Sequence, residues 1–117
     1  MKPPVTTVLR RAAACALAVS ITWSAMPAAA EQALAVTIRN HRFEPAELTA
    51  TAGEKIVLTV TNADAAPEEF DSPDLNREKL IRPGQTVTIT LPALKPGGYL
   101  FSGEFNPTTA TGRLVVK

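Results

Sequence analysis

Beyond residue 30 the sequence contains no cysteine, no methionine and no tryptophan, and its one histidine is His41. The residues of the three missing types, Cys15, Trp23, Met1 and Met26, all fall within the first 30 positions. A domain that begins after residue 30 therefore forms no disulfide bond. Its stability has to come from a hydrophobic core alone.

The chain also lacks an excess of either charge. Lys and Arg together number 12 and Asp and Glu together number 11, so the formal net charge is +1. Residues 1–30 contain Lys2, Arg10 and Arg11 and no acidic residue, so the formal net charge of residues 31–117 alone is 9 − 11 = −2. Recognition of nucleic acid depends on a basic patch, so a mildly acidic domain argues against a nucleic-acid partner.

The first 30 residues follow the order of a secretory signal peptide. The three basic residues named above precede an apolar run at residues 12–25, and Ala28-Ala29-Ala30 then offers a small-residue cleavage site. The apolar run is shorter than the roughly 20 residues that a membrane-spanning helix needs. We therefore predict that residues 1–30 are a signal peptide, that cleavage precedes Glu31 and that the protein is periplasmic. The alternative is a retained N-terminal anchor.

Residues 31–117 read as one domain of short strands. Apolar and polar residues alternate with a period of two at residues 34–39, 56–61 and 86–91, and turn-forming Asn, Pro and Gly separate these segments. Residues 73–82 are less regular and suggest a helical turn followed by an extended segment. The pattern predicts an all-β fold, a Greek-key β-sandwich of about seven strands.

The last 21 residues have the order strand, polar loop, strand. Gly-x-Tyr-x-Phe at residues 97–101 precedes the loop, and Gly-x-Leu-Val-Val at residues 112–116 follows it. The loop contains Glu104, Asn106 and several threonines, none of which a core requires. This layout resembles the last two strands of cupredoxins, the small copper-binding β-sandwiches. In that family the loop supplies Cys, His and usually Met to the metal.

The resemblance extends to the scaffold and stops at the copper ligands. It places Gly103 where the family has Cys, Asn106 where it has His, and Ala110 or a neighbour where it has Met. The other family histidine corresponds to Pro67-Glu68-Glu69, after the Asn-containing turn. Type 1 copper requires a thiolate and imidazoles, so the sequence predicts a protein that is not a blue-copper protein.

Three segments resemble one subgroup more closely, and they are residues 40–45, 67–72 and 103–107. They are similar to cupredoxin-like periplasmic proteins of bacterial ferrous-iron uptake, namely the small cupredoxin component of Ftr-type systems and the N-terminal cupredoxin domain of EfeO-type proteins. This resemblance implies a monomeric accessory protein that handles Fe(II) beside a membrane iron permease and a periplasmic metal-binding protein. It leaves open whether the chain also oxidises Fe(II) to Fe(III), in a ferroxidase-like role.

A cupredoxin brings its two ligand loops together at one end of the sandwich, where this chain offers carboxylates and one histidine. The candidate metal ligands are Glu69, Glu104, Glu68, Asp71, Glu44 and His41. Carboxylates are hard oxygen donors and suit iron. Two alternatives remain: a weak Cu(II) site that combines His41 with carboxylates, and a metal-free interaction domain that docks on a permease. In the second, the acidic residues are solvated surface charges.

Overall fold

The computed structural model describes residues 1–6, 12–25 and 30–117. The first two ranges have no regular secondary structure. Arg10 and Arg11 of the predicted basic segment, and most of the predicted cleavage site, lie outside the described residues. Within the described ranges, no helix is long and apolar enough to span a membrane.

The domain is built from strands alone, as far as the structure describes the chain. The nine strands are β1 (Glu31–Arg39), β2 (Arg42–Glu44), β3 (Glu47–Ala50), β4 (Lys55–Asn62), β5 (Glu68–Ser72), β6 (Arg77–Ile81), β7 (Thr86–Leu91), β8 (Gly97–Gly103) and β9 (Thr111–Val116). One sheet has the order β2-β1-β4-β7 and the other the order β3-β9-β8-β5-β6. The predicted all-β sandwich is confirmed, with nine strands in the described residues in place of the predicted seven or so.

Two local features differ from the expected strand pattern. The extended run at residues 43–48 is divided between β2 of the first sheet and β3 of the second, with Pro45 and Ala46 between them. Proline has no N–H to donate and cannot continue a strand ladder, which explains the break. The predicted helical turn after Pro73 is a four-residue turn, closed by a hydrogen bond of 3.1 Å from Asn76 N–H to the Pro73 carbonyl.

The core lies between the two sheets and follows the period-two alternation. The inward-facing side chains of β1, β4, β5, β7, β8 and β9 are almost completely buried, and they include Val36, Ile38, Ile56, Leu58, Val60, Val87, Ile89, Leu91, Phe70, Phe101, Leu114 and Val116. Phe43, Phe70 and Phe101 contact one another with ring centroids 4.9 to 6.1 Å apart. Aromatic pairs of this kind add about 0.5–1.5 kcal/mol each beyond their buried area.

The strand directions bring several chain segments to the same end of the sandwich. β1 and β4 run parallel, and β8 is antiparallel to both β5 and β9. The end of β8 at Gly103 therefore lies beside the beginning of β5 and the beginning of β9 at Thr111. This end carries the loop of residues 104–110, and we call it the loop end.

A tight hairpin joins β1 to β2. Its two loop residues, Asn40 and His41, both have positive φ, 52° and 56°, as a type I′ turn requires. Asp64, from the loop after β4, accepts hydrogen bonds from the N–H of Asn40 (2.7 Å) and of His41 (2.9 Å). The bond from His41 is the main reason that the pKa of Asp64 lies below its usual value.

Replacement of Asp64 by Ala is expected to lower the free energy of unfolding by about 1–3 kcal/mol, because two turn N–H groups lose a charged acceptor. Asp64→Asn keeps one acceptor oxygen and should cost less. Because the folded-state pKa is depressed, the stabilisation is present above the unfolded value of 3.8 and is lost as the pH falls. Urea unfolding of both variants at neutral and acidic pH measures this. Equal stability of Asp64→Ala and the parent would show that the turn holds without Asp64.

Candidate metal centre

Three carboxylates converge on the outer face of the second sheet at the loop end. Glu69 of β5, Glu78 of β6 and Glu104 after β8 each place one oxygen within 4.8 Å of the others. In the β5–β6 pair Glu69 is opposite Leu80 and Asp71 is opposite Glu78, so Glu69 and Glu78 are diagonal neighbours on one face. Glu104 is held beside them because its N–H donates to the Glu69 carbonyl at 2.9 Å. We call these three residues the carboxylate triad.

Mutual repulsion and hydrogen bonding between carboxyl groups raise the pKa of one member of the triad. The pKa of Glu69 is raised from 4.5 to about 7, first by a hydrogen bond with Glu78, then by desolvation, and then by the charges of Glu104 and Glu78 and a hydrogen bond with Glu104. In the described part of the chain, no Lys or Arg nitrogen lies within 4.0 Å of a triad oxygen. Below about pH 7 the raised pKa favours a proton on Glu69, and a cation bound at the triad would relieve the same repulsion.

Glu68, the neighbour of Glu69 on β5, points the opposite way, into the protein. It is 2% exposed, whereas Glu69 is half-buried and faces outward. Its Oε1 accepts hydrogen bonds from its neighbour's N–H (3.0 Å) and from the Phe105 N–H (2.9 Å). Its Oε2 accepts a bond of 2.7 Å from Nδ2 of Asn106. The carboxylate thus links β5 to the loop that follows β8.

Gly103 and Ala110 form the apolar side of the Glu68 pocket. A Cβ atom on residue 103 would lie 2.6 Å from Cδ of Glu68, 2.8 Å from its Oε2 and 2.7 Å from Cβ of Ala110. Carbon atoms do not approach so closely, so only glycine fits beside this carboxylate. The loop is closed by bonds of 2.8 Å from the Gly103 N–H to the Ala110 carbonyl and from the Ala110 N–H to the Asn106 carbonyl.

The structure brings together only part of the predicted ligand set. Glu69 and Glu104 meet in the triad, with Glu78 as a third member that the sequence did not single out. The register of β5 with β6 was the missing information, because it alone puts Glu78 on the Glu69 face. Glu68 lies at the same end but faces inward.

Asp71, Glu44 and His41 do not join the triad. Asp71 is opposite Glu78 across the β5–β6 pair, but its carboxylate is not in the group. Glu44 forms an ion pair with Arg39 at 2.8 Å. The imidazole of His41 lies 3.7 Å from the Asp64 carboxylate, beside the β1–β2 turn.

A family model described as a cupredoxin-like domain matches residues 11–116, nearly the whole chain. The chain belongs to the cupredoxin-like domain family. An uncharacterised protein from Rickettsia prowazekii (strain Madrid E) is similar, with 42% identity over 81 residues that cover 69% of this chain. The match spans 65% of that relative's length.

Solved cupredoxin structures share the fold. Auracyanin A, a "blue" copper protein from Chloroflexus aurantiacus, has a TM-score of 0.66 and 17% identity, covering 75% of this chain and 100% of its own. The metal-binding domain of the Cu(I)-exporting P-type ATPase CopA of Streptococcus pneumoniae D39, solved with Cu(I), has a TM-score of 0.67 and 16% identity, covering 80% and 92%. At these identities the likeness establishes the fold alone.

Copper in the manner of blue-copper proteins does not fit the residues of this cupredoxin-like domain. The positions that the family resemblance assigns to the ligands hold Pro67-Glu68-Glu69, Gly103, Asn106 and Ala110 or a neighbour, and none of these residues offers a thiolate, imidazole or thioether. The space among them is taken by the Glu68 carboxylate itself. Type 1 copper needs soft sulfur and imidazole donors, and none is available there.

Proposed function

We propose that this cupredoxin-like protein binds Fe(II) at the carboxylate triad and serves as an accessory protein of bacterial ferrous-iron uptake. The observation that carries the proposal is the convergence of three carboxylate oxygens within 4.8 Å of one another, on three separate segments of chain. Oxygen donors of this kind suit hard cations, and water molecules complete the coordination of an exposed ion. The resemblance of residues 67–72 and 103–107 to the iron-uptake subgroup agrees with this choice of metal.

An all-carboxylate site also favours the higher oxidation state of iron, because Fe(III) is harder and more highly charged than Fe(II). A bound Fe(II) ion is therefore easier to oxidise than the same ion among soft ligands. Delivery of iron to a membrane permease and cooperation with a periplasmic metal-binding protein are parts of the same proposal. The domain acts as a monomer in this scheme.

Export to the periplasm, with removal of residues 1–30, belongs to the proposal as well. The basic, apolar and small-residue segments in that order support it. We expect the intact mass of the exported protein to correspond to a chain that begins at or near Glu31. A mass that retains residues 1–30, or a lipid on Cys15, would contradict this part and return Cys15 to the working protein.

Cu(II) at the same triad is the second candidate. Copper proteins are among the structural neighbours, and Cu(II) binds most sites more tightly than other first-row divalent ions do. Anaerobic competition between Fe(II) and Cu(II), followed by metal analysis of protein purified from the periplasm without chelator, separates the two. Protein that carries neither metal and binds neither would favour the interaction-domain alternative.

The uptake role has a direct cellular test. Radiolabelled iron uptake is measured in the source bacterium after deletion of the gene, and again after complementation. We expect the parent gene to restore uptake and a gene encoding Glu69→Gln with Glu104→Gln to fail, at equal protein levels. Full restoration by the double variant would separate the triad from iron uptake.

A further inference from the structure

We propose that the carboxylate of Glu68 is a built-in substitute for the copper ion of the family. In this interpretation it fills the centre between the four former ligand positions, excludes a metal from it, and fastens together the two loops that a copper ion would otherwise join. These three statements are independent of the proposed function. The consequence that Glu68 positions Glu69 and Glu104 rests on it.

The hydrogen bonds of Glu68 reach both sides of the loop end. One donor is on its own strand, the N–H of Glu69, and two are on the other loop, the N–H of Phe105 and Nδ2 of Asn106, at 2.7 to 3.0 Å. Hydrogen bonds to a charged acceptor are stronger than neutral ones. A copper ion joins the same two loops through its ligands, and here a single carboxylate makes the connection.

The pocket is complete without a metal. Among the described residues, every buried side-chain nitrogen and oxygen has a hydrogen-bond partner. The donors around Glu68 are N–H groups, which a metal ion would have to displace and could not use as ligands. The missing side chain at Gly103 leaves room for the carboxylate, because a Cβ there would lie 2.6 Å from Cδ of Glu68 and 2.8 Å from its Oε2. The replacements at the four family ligand positions therefore fit one another as a set.

The same bonds set the direction of the surface carboxylates. Glu69 follows Glu68 on β5, and Glu104 immediately precedes Phe105, whose N–H donates to Glu68. The Glu104 N–H in turn donates to the Glu69 carbonyl at 2.9 Å. The inward Glu68 thereby holds the outward pair close together. Glu68 is a positioning residue for the triad.

The first test uses the parent protein after exhaustive chelation. We expect the Phe105 amide and the Asn106 side-chain amide to be strongly protected from hydrogen exchange without any metal, as observed by NMR. We also expect Glu68→Met, which keeps the length and removes the acceptors, to lower Tm by at least about 5 °C. Glu68→Gln retains an acceptor and should fall between Glu68→Met and the parent. Glu47→Gln, at an exposed position, is the control and should leave Tm unchanged.

The opposite results would overturn the proposal. If Glu68 were a ligand waiting for a cation, its buried charge would destabilise the chelated protein, and Glu68→Met would raise Tm. Exchange of the Phe105 amide at the rate of an unfolded chain would show that the Glu68 bonds do not hold the loop. Glu69→Gln with Glu104→Gln should leave the protection of Phe105 unchanged, so failure of the proposed iron function can be told apart from failure of this inference.

The second test restores the family ligands. The quadruple variant Glu68→His, Gly103→Cys, Asn106→His and Ala110→Gly should bind Cu(II) and develop an intense visible thiolate-to-copper band, because it removes both the carboxylate and the Ala110 Cβ that would lie 2.7 Å from a Cβ at residue 103. The parent should show no such band, and neither should the matched variant that keeps Gly103 and therefore lacks the thiolate. A quadruple variant that binds Cu(II) without the intense band would show that Glu68 does not occupy the copper position.

Discussion

The double change Glu69→Gln and Glu104→Gln is expected to weaken Fe(II) binding at least about tenfold, which corresponds to about 1.4 kcal/mol. Both substitutions keep the shape of the side chain and remove its charge. The triad oxygens lie within 4.8 Å of one another, so a cation between them loses two of its three anionic ligands. Folding should be unchanged or slightly improved, because the repulsion that raises the pKa of Glu69 is relieved.

Anaerobic calorimetric titration with Fe(II), with Mn(II) as an air-stable substitute, measures this change. The matched control is Glu47→Gln with Glu54→Gln, which removes the same charge from one exposed and one half-buried position outside the triad. Glu78→Gln alone should weaken binding in the same direction. If the triad variant binds as tightly as the parent, these carboxylates are solvated surface charges and the interaction-domain alternative gains support.

The sequence predicted which loops meet, but the sequence analysis did not separate the inward-facing from the outward-facing carboxylate on β5. Glu68 and Glu69 were both candidate ligands because the family resemblance aligns them with one histidine position. On a strand, neighbouring side chains point to opposite faces, so only one of the two can face the core. Phe70 is buried, and Glu68 shares its face. Because side chains alternate along β5, the buried Phe70 alone already indicates that Glu68 faces the core and Glu69 faces outward.

Glu78 could not be found from the sequence in the same way. Its approach to Glu69 depends on how β6 pairs with β5, and the pairing is set by the turn at residues 73–76. That turn contains a proline and an Asn76 with φ of 52°, and its exact length fixes which residues are opposite each other. A shift of one residue would turn Glu78 to the other face.

Local partners explain why His41 and Glu44 stay outside the triad. Both belong to the β1–β2 hairpin, where His41 occupies a positive-φ turn position held by Asp64 and Glu44 pairs with Arg39. The sequence analysis included them as candidate ligands at the end of the sandwich where the two ligand loops meet. His41 thus has a role in the turn and Glu44 in an ion pair, and their positions in the sequence do not reveal these roles.

Cation binding by the triad is expected to depend on pH, with affinity about tenfold lower at pH 6 than at pH 8. The pKa of Glu69 is raised to about 7, so below that pH a cation has to displace a proton. The metal-free protein should show the opposite trend in stability. In the folded protein Glu69 keeps its proton up to about pH 7, whereas in the unfolded chain it loses the proton near pH 4.5. The stability that this proton contributes is therefore present at acidic pH and is lost as the pH rises through about 7.

Mn(II) titration by calorimetry at pH 6 and pH 8, in buffers of different ionisation enthalpy, measures both affinity and proton release. We expect the release of about one proton per bound ion at pH 6 and much less at pH 8. Glu69→Gln is the control: it binds more weakly, and it should lose most of the pH dependence because the titrating group is gone. Equal parent affinities at both pH values, without proton release, would mean that the cation binds away from Glu69, since no ion can coordinate this carboxylate without competing for its proton.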